Sequence, residues 1–434
     1  MIRTADQLAA ALGGDTSGVP ADLTVDRIVI DSRQAGPGDG FVAVRAERDG
    51  HGFVTAARSS GAVVAIVDHP VDGGPTIVVD DTVAALGRAA TVARSELAGE
   101  VIGITGSVGK TTTKDLAAAI LRRSHRVTAS EKSLNNEMGV PLTLLNAVAG
   151  TEVSVIEMGA RNVGHIAMLC EIASPTIGVV TVVAPAHLEV FGSVEAIIEA
   201  KGELVASLPA SGTAVLNLDR PEVMSMAHRT AAGVLTFGER GEVRATGVTL
   251  DEHLAISAVL HTPWGDAPIR VGVSGRHQLE NALAAAAVSL LAGASLEDVT
   301  AGLSVVERSP WRMDIARSRS GAFVVNDSYN ANPSSMAAAL EALADLPAGR
   351  RVAVLGEMAE LGEGTDAAHD EVCAQAESFG IEIVAVGTGR YGREPVAVGE
   401  VVAAVGGLDD GVAILVKGSR VAGLEGIAEA LLEE

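Results

Sequence analysis

The sequence predicts an α/β fold in three domains, with a central P-loop-type parallel sheet that carries a β-rich excursion and a C-terminal Rossmann-like unit. Three observations predict it. A chain of 434 residues is too long for one ordinary core and fits about three domains. Short, near-continuous apolar runs such as Val153 to Met158, Ile177 to Val183 and Ile414 to Val416 suit parallel strands buried on both faces, and they alternate with helix-like stretches. Finally, Val101-Ile-Gly-Ile-Thr-Gly-Ser-Val-Gly-Lys-Thr-Thr-Thr-Lys114 joins an apolar strand, a glycine-bracketed turn and the opening of a helix.

The first domain is expected over residues 1–97. Its strands are predicted at Val25 to Ile30, Phe41 to Val44, Ala62 to Val67 and Thr76 to Val79, and Asp81 can cap a helix running to Leu97. Asp31-Ser-Arg33 and Asp49-Gly-His51-Gly-Phe53 are polar turns. Ser32 and Arg33 lie just past a strand end, where α/β sheets bind ligands, although surface loops carry the same residue types.

The second domain, residues 98–311, opens on the glycine-bracketed stretch. A phosphate needs inward-pointing backbone N–H groups, close approach of the chain and a helix N-terminus, and all three are offered here. Lys110 supplies a mobile charge to the terminal phosphates and Thr111 a hydroxyl for Mg²⁺. The strict G-x-x-x-x-G-K-[ST] pattern fails at Ile104. The shorter Gly106-x-x-Gly109-Lys110-Thr111 gains its force from context, since Leu116, Ala117, Ile120 and Leu121 give the following helix an apolar face.

The next strands end in Glu157-Met-Gly159 and Ala184-Pro-Ala-His187-Leu-Glu189. A hard cation beside phosphates wants oxygen ligands and an imidazole can complete a second metal shell, with purely structural roles as the alternative for Glu157 and His187. Ser193 to Leu208 reads as a helix carrying Lys201. Residues 234–273 look β-rich, with turns at Gly238, Gly241 and Pro263-Trp-Gly265. Gly275-Arg-His277 then leads into an Ala-rich helix where Asn281 either caps the start or reads a base.

The third domain, residues 312–434, follows Trp311. A strand at Ala322 to Asn326 leads into Asp327-Ser-Tyr-Asn-Ala-Asn-Pro333 and a helix from Ser334 to Leu346. Strands at Val352 to Leu355, Ile383 to Val386 and Ile414 to Val416 exit at Gly356-Glu-Met, Gly387-Thr-Gly389 and Lys417-Gly-Ser-Arg420. Linkers are expected near 98–100 and 308–311.

Composition sets the outer bounds. Hydrophobic residues make up 48% and aromatics only 2%, so the cores must be built from Ala, Val, Leu and Ile. A formal charge of −23 argues against nucleic acid or an anionic membrane as partner, and local positive groups must hold any anionic ligand. Cys170 and Cys373 show no metal or disulfide spacing and read as buried free thiols in a reducing compartment. With no positively charged, apolar leader and no continuous apolar run of about 18 residues, a soluble cytoplasmic chain is expected. A monomer is expected as well.

Thr105-Gly-Ser-Val-Gly-Lys-Thr111, Asn135-Asn-Glu-Met-Gly139, Glu157-Met-Gly-Ala160, His187-Leu-Glu-Val-Phe-Gly192, Ala200-Lys-Gly-Glu203, Gly275-Arg-His277 with Asn281, and Asp327 to Pro333 together resemble the Mur ligases of peptidoglycan synthesis, over essentially the whole chain. The last segment is similar to the signature of the D-alanyl-D-alanine-adding members, and the Asp-Asn-Pro-Arg common in the lysine- or diaminopimelate-adding siblings is absent. The resemblance implies ATP-dependent joining of D-Ala-D-Ala to UDP-N-acetylmuramoyl-tripeptide through an acyl phosphate. Gly106, Ser107, Gly109, Lys110, Thr111 and Thr112 would surround the ATP phosphates. Thr111, Glu157, His187 and Lys201 would serve two Mg²⁺ sites, with Lys201 carbamylated. Asn281 would read adenine, while Arg312, Asp327, Tyr329 and Asn330 would reach the nucleotide from the third domain. Lys110, Lys201, His187 and Arg312 would be catalytic, and Ser32, Arg33, Asn135 and Asn136 would meet the UDP-substrate. The closest rival is the sibling ligase adding lysine or diaminopimelate; folylpolyglutamate synthetase is more distant, since it lacks a first domain like residues 1–97, and the rival from another class is a P-loop ATPase that makes no amide.

Overall fold

In the computed structural model, residues 4–20, 22–131, 134–184, 188–305 and 310–434 are described. His187 and part of the expected 308–311 linker therefore lie outside the described residues.

The described residues build three parallel-type sheets and one antiparallel one. The first has the order Asp15–Ser17, Thr76–Val78, Val64–Val67, Asp39–Val42, Arg27–Val29; only the outer Asp15–Ser17 pairing is antiparallel. Asp81 caps the helix Thr82–Glu96, its carboxylate accepting from Val83 and Ala84 N–H, as expected. Preceding it all is a helix unforeseen in the sequence, Ala5–Leu12, closed by reciprocal hydrogen bonds between Thr4 and Gln7.

The middle sheet is wholly parallel in the order Gly233–Phe237, Thr213–Asn217, Ile177–Val180, Glu100–Thr105, Val153–Glu157, Val127–Ala129. The phosphate-type turn thus leaves the interior of the sheet. Behind it, the helix Lys110–Leu121 packs on the Ala-rich helix Gln278–Leu291 and on Leu296–Ser304. Small side chains permit the approach: a methyl at Gly302 would lie 2.4 Å from the Ile120 Cα. The β-rich excursion is a three-stranded antiparallel sheet, Arg244–Leu250, Ala255–Thr262, Gly265–Ser274, sharing this core.

The third sheet runs Asp314–Arg317, Phe323–Asn326, Val412–Lys417, Arg350–Leu355, Glu382–Ala385, antiparallel only at its first pair. At the seam between the first sheet and the middle region, the Asn146 side chain both donates to Ile28 C=O at 2.9 Å and accepts from Ile28 N–H at 2.8 Å, imitating a strand partner, while Leu142 joins the first core. Cys170 is buried and Cys373 half-buried, and both are free thiols. No helix among the described residues is long and apolar enough to cross a membrane.

Candidate active site

Residues of the middle region and of the third sheet face each other across a cavity of about 510 Å³. Its floor is Ser107–Gly109 of the phosphate-type turn, and Gly106 stands behind this lining. Gly109 stands at φ 86°, and a methyl there would come within 2.2 Å of the Asn281 amide oxygen, so only glycine lets the turn lie against the Ala-rich helix. Asn281 lies inside that helix, not at its cap; its oxygen accepts from Thr113 Oγ1 at 3.4 Å and its amide nitrogen donates to Gln278 Oε1 at 2.7 Å. Lys110 Nζ folds back onto its own loop, donating to Gly106 C=O at 2.7 Å and Ser107 C=O at 3.3 Å. Burial is the main cause pushing its ammonium below the ordinary lysine range; nearby Glu157 opposes this and Arg312 adds to it.

Thr111 is the point where the walls meet. Its hydroxyl donates to Glu157 Oε2 at 2.9 Å and accepts from Arg312 Nη2 at 3.2 Å, the latter 201 positions away in sequence. The other Glu157 oxygen accepts from Asn135 Nδ2 at 2.8 Å. Gly159 makes room for that amide, since a methyl there would sit 2.8 Å from the Asn135 oxygen. Glu157 itself is 1% exposed at a strand end. A hydroxyl and a carboxylate side by side are the hard oxygen donors that suit Mg²⁺.

Lys201, 4% exposed on the helix Val194–Ala206, is pushed down to about 7, first by burial and then by the neighbouring Lys110 charge. Neutral amine is therefore abundant at neutral pH.

From the other side, Arg312 lies between Trp311 and Met313, both in the left-handed region at φ 62° and 53°. Its guanidinium lies over the Tyr329 ring at 4.0 Å, and its Nε is buried with no hydrogen-bond partner among the described residues. A buried cationic N–H without a partner, on a side chain that lines the cavity, suits an anion. Asp327, Asn330 and Thr112 also line the cavity.

Other sequence-predicted residues fall elsewhere. Asn136 stands ahead of the helix Gly139–Leu145, its oxygen accepting from Met138 and Gly139 N–H, and does not line the cavity. Ser32 and Arg33 sit in the turn after the strand Arg27–Val29, where the exposed Arg33 pairs with Asp31 at 2.7 Å. Sequence reasoning missed Lys417, His277, Gln278, Glu280 and Arg220, which line the cavity. His277 is pushed down to about 4, chiefly by desolvation, with Asp327 opposing and the Lys417 charge adding to it. Among the described residues, one His/Asp group has metal-ligand proximity, His51, Asp68 and His69, in the first region. There Arg45 donates to both Asp68 oxygens, at 2.7 and 2.9 Å, placing a fixed positive charge where a cation would bind.

Residues 104–289 match the Mur ligase middle domain and residues 311–420 the Mur ligase glutamate ligase domain. The chain belongs to the Mur ligase family. Within the Mur ligases, it is similar to UDP-N-acetylmuramoyl-tripeptide--D-alanyl-D-alanine ligase of Mycobacterium bovis, at 40% identity over 99% of this chain and 98% of that protein. The protein so named in Escherichia coli K12 is 35% identical over the same shares. In structure it is similar to the Mur ligase MurF from Acinetobacter baumannii, with a TM-score of 0.90 and 31% identity over 100% and 99% of the two chains. MurF from Thermotoga maritima in complex with ADP gives a TM-score of 0.82 and 28% identity, covering 94% of this chain and 97% of that one.

Proposed function

We infer that this Mur ligase joins D-Ala-D-Ala to UDP-N-acetylmuramoyl-tripeptide at the expense of ATP, forming an amide bond in peptidoglycan precursor synthesis. The observation that carries the reaction class is the Thr111 hydroxyl bonded to both Glu157 and Arg312, with the charge of Lys110 close enough to act on both. The substrates follow from full-length relatives named for them.

A substrate carboxylate and the γ-phosphate repel each other, and this chain answers with Lys110 and Arg312 at opposite walls of a cavity. Thr111, Glu157 and Lys201 would hold Mg²⁺, with His187 as a further ligand; bound there, the metal neutralises charge between phosphate and carboxylate. Two such sites require an anion at Lys201. A buried ammonium would repel both, whereas its neutral form, favoured by burial, can take up CO₂ as a carbamate. Transfer of the γ-phosphoryl group gives an acyl phosphate, the dipeptide amine attacks its carbonyl carbon, and phosphate leaves. Closing the third domain, residues 312–434, over residues 98–311 keeps water from that acyl phosphate. Residues 1–97, with Ser32 and Arg33, take the UDP end. The acidic chain works as a cytoplasmic monomer without nucleic-acid or membrane partners.

The test offers UDP-tripeptide and ATP with either D-Ala-D-Ala or free amino acids and weighs the product. A dipeptide adduct is expected. Phosphate release that needs neither acceptor nor UDP-tripeptide would overturn the ligase reading in favour of a P-loop ATPase.

A further inference from the structure

We propose that Lys417 is a positioning residue for Arg312, holding that guanidinium against the phosphate-binding wall. The proposal rests on the ligase reading of the crevice and adds a residue to it.

Lys417 ends the central strand Val412–Lys417 of the third sheet, and its side chain is only 2% exposed. A lysine so buried is held by partners, and this one spends its donors on a single loop. Nζ donates to Asp327 Oδ2, to Asn330 C=O at 2.9 Å and to Asp327 C=O at 3.4 Å. The second Asp327 oxygen accepts from Met313 N–H at 3.0 Å, on one flank of Arg312. Tyr329, between the two residues that Lys417 holds, reaches the other flank: its N–H donates to Trp311 C=O at 3.1 Å and its ring underlies the guanidinium. The same strand exit sends Arg420 over the Trp311 ring at 4.5 Å. Both left-handed residues that bracket Arg312 are thus fastened to the segment Lys417–Arg420. Strained backbone persists only where its surroundings over-determine it: Asp314 and Arg420 also hold Trp311, while the Met313 N–H bond and the Tyr329 contacts come from the loop that Lys417 fixes.

Without Lys417, Arg312 keeps its charge and loses its aim. A displacement of about 1 Å in such a group can cost about a hundredfold in rate. The full-length chain is assayed as Lys417→Met and as Lys417→Gln, each alone and combined with Arg312→Lys. The unaltered chain is assayed first; if it forms no amide product, the ligase reading fails and not this one. With product formed, Lys417→Met is expected to lower kcat about a hundredfold, to leave KM for UDP-tripeptide within about twofold, and to cost almost nothing further once Arg312 is lysine. An unchanged kcat, or losses that multiply in the double variant, would overturn the proposal. Should neither variant fold, Lys417→Arg keeps the charge but cannot aim a planar fork at three acceptors. Wild-type kcat in that variant overturns the proposal, and a reduced kcat that vanishes in the Arg312→Lys background supports it.

Discussion

Burial depresses both Lys110 and Lys201, and their chemistry differs because their surroundings do. Lys110 has loop carbonyls to hold its ammonium until a phosphate replaces them. Lys110→Ala should therefore leave the fold intact and lower ADP release at least about a hundredfold, as loss of a preorganised charge commonly does; near-normal turnover would remove the cradle from the reaction. Lys201, titrating at about 7 in the folded chain against 10.5 ordinarily, makes stability depend on pH. Between those values the unfolded chain binds a proton that the folded one lacks, so stability rises with pH. Lys201→Met should gain most over the parent at pH 7 and below, and the gain should shrink toward pH 10. Urea unfolding at pH 7 and pH 9 checks this, and a gain that does not change with pH refutes it. Activity should fall in the parent as pH drops below about 7, because the protonated amine cannot form a carbamate.

At the scale of elements, two contacts carry predictions. Gly109→Ala would place a methyl on the Asn281 amide in a left-handed turn, and should cost more than about 1 kcal/mol in denaturant unfolding and weaken ATP binding, because the turn must leave the Ala-rich helix. Asn146→Ala deletes both hydrogen bonds to Ile28 and should cost about 1–3 kcal/mol, with faster amide exchange over the strand Arg27–Val29 as the local readout. The elements themselves were unevenly legible in sequence. Strands such as Val153–Glu157 announce themselves because both faces are buried. The edge strands Asp15–Ser17 and Asp314–Arg317 do not, since exposed or half-exposed residues need no apolar run. Ala5–Leu12 is marked in sequence only by Thr4 and Gln7, three residues apart, a short signal beside the apolar runs. In the site, the cradle and Glu157 were visible because a local motif makes them. Lys417 was not, because its contacts depend on where a distant loop returns.

For the whole molecule, the crevice has its walls on two separately cored regions joined near Trp311, while Asn146 and Leu142 fasten the first region to the middle one. Relative movement should therefore concentrate in the third region, and nucleotide with Mg²⁺ should compact the protein in small-angle scattering without altering the first-to-middle distance. That last segment also carries an optical consequence. The chain has only two tryptophans, and Trp264 stands exposed at a hairpin tip, whereas Trp311 lies under the Arg420 guanidinium beside Arg312. Its emission is a built-in lamp at the closing seam, so ligand titrations need no attached dye, and a Trp264→Phe chain would report closure from a single chromophore.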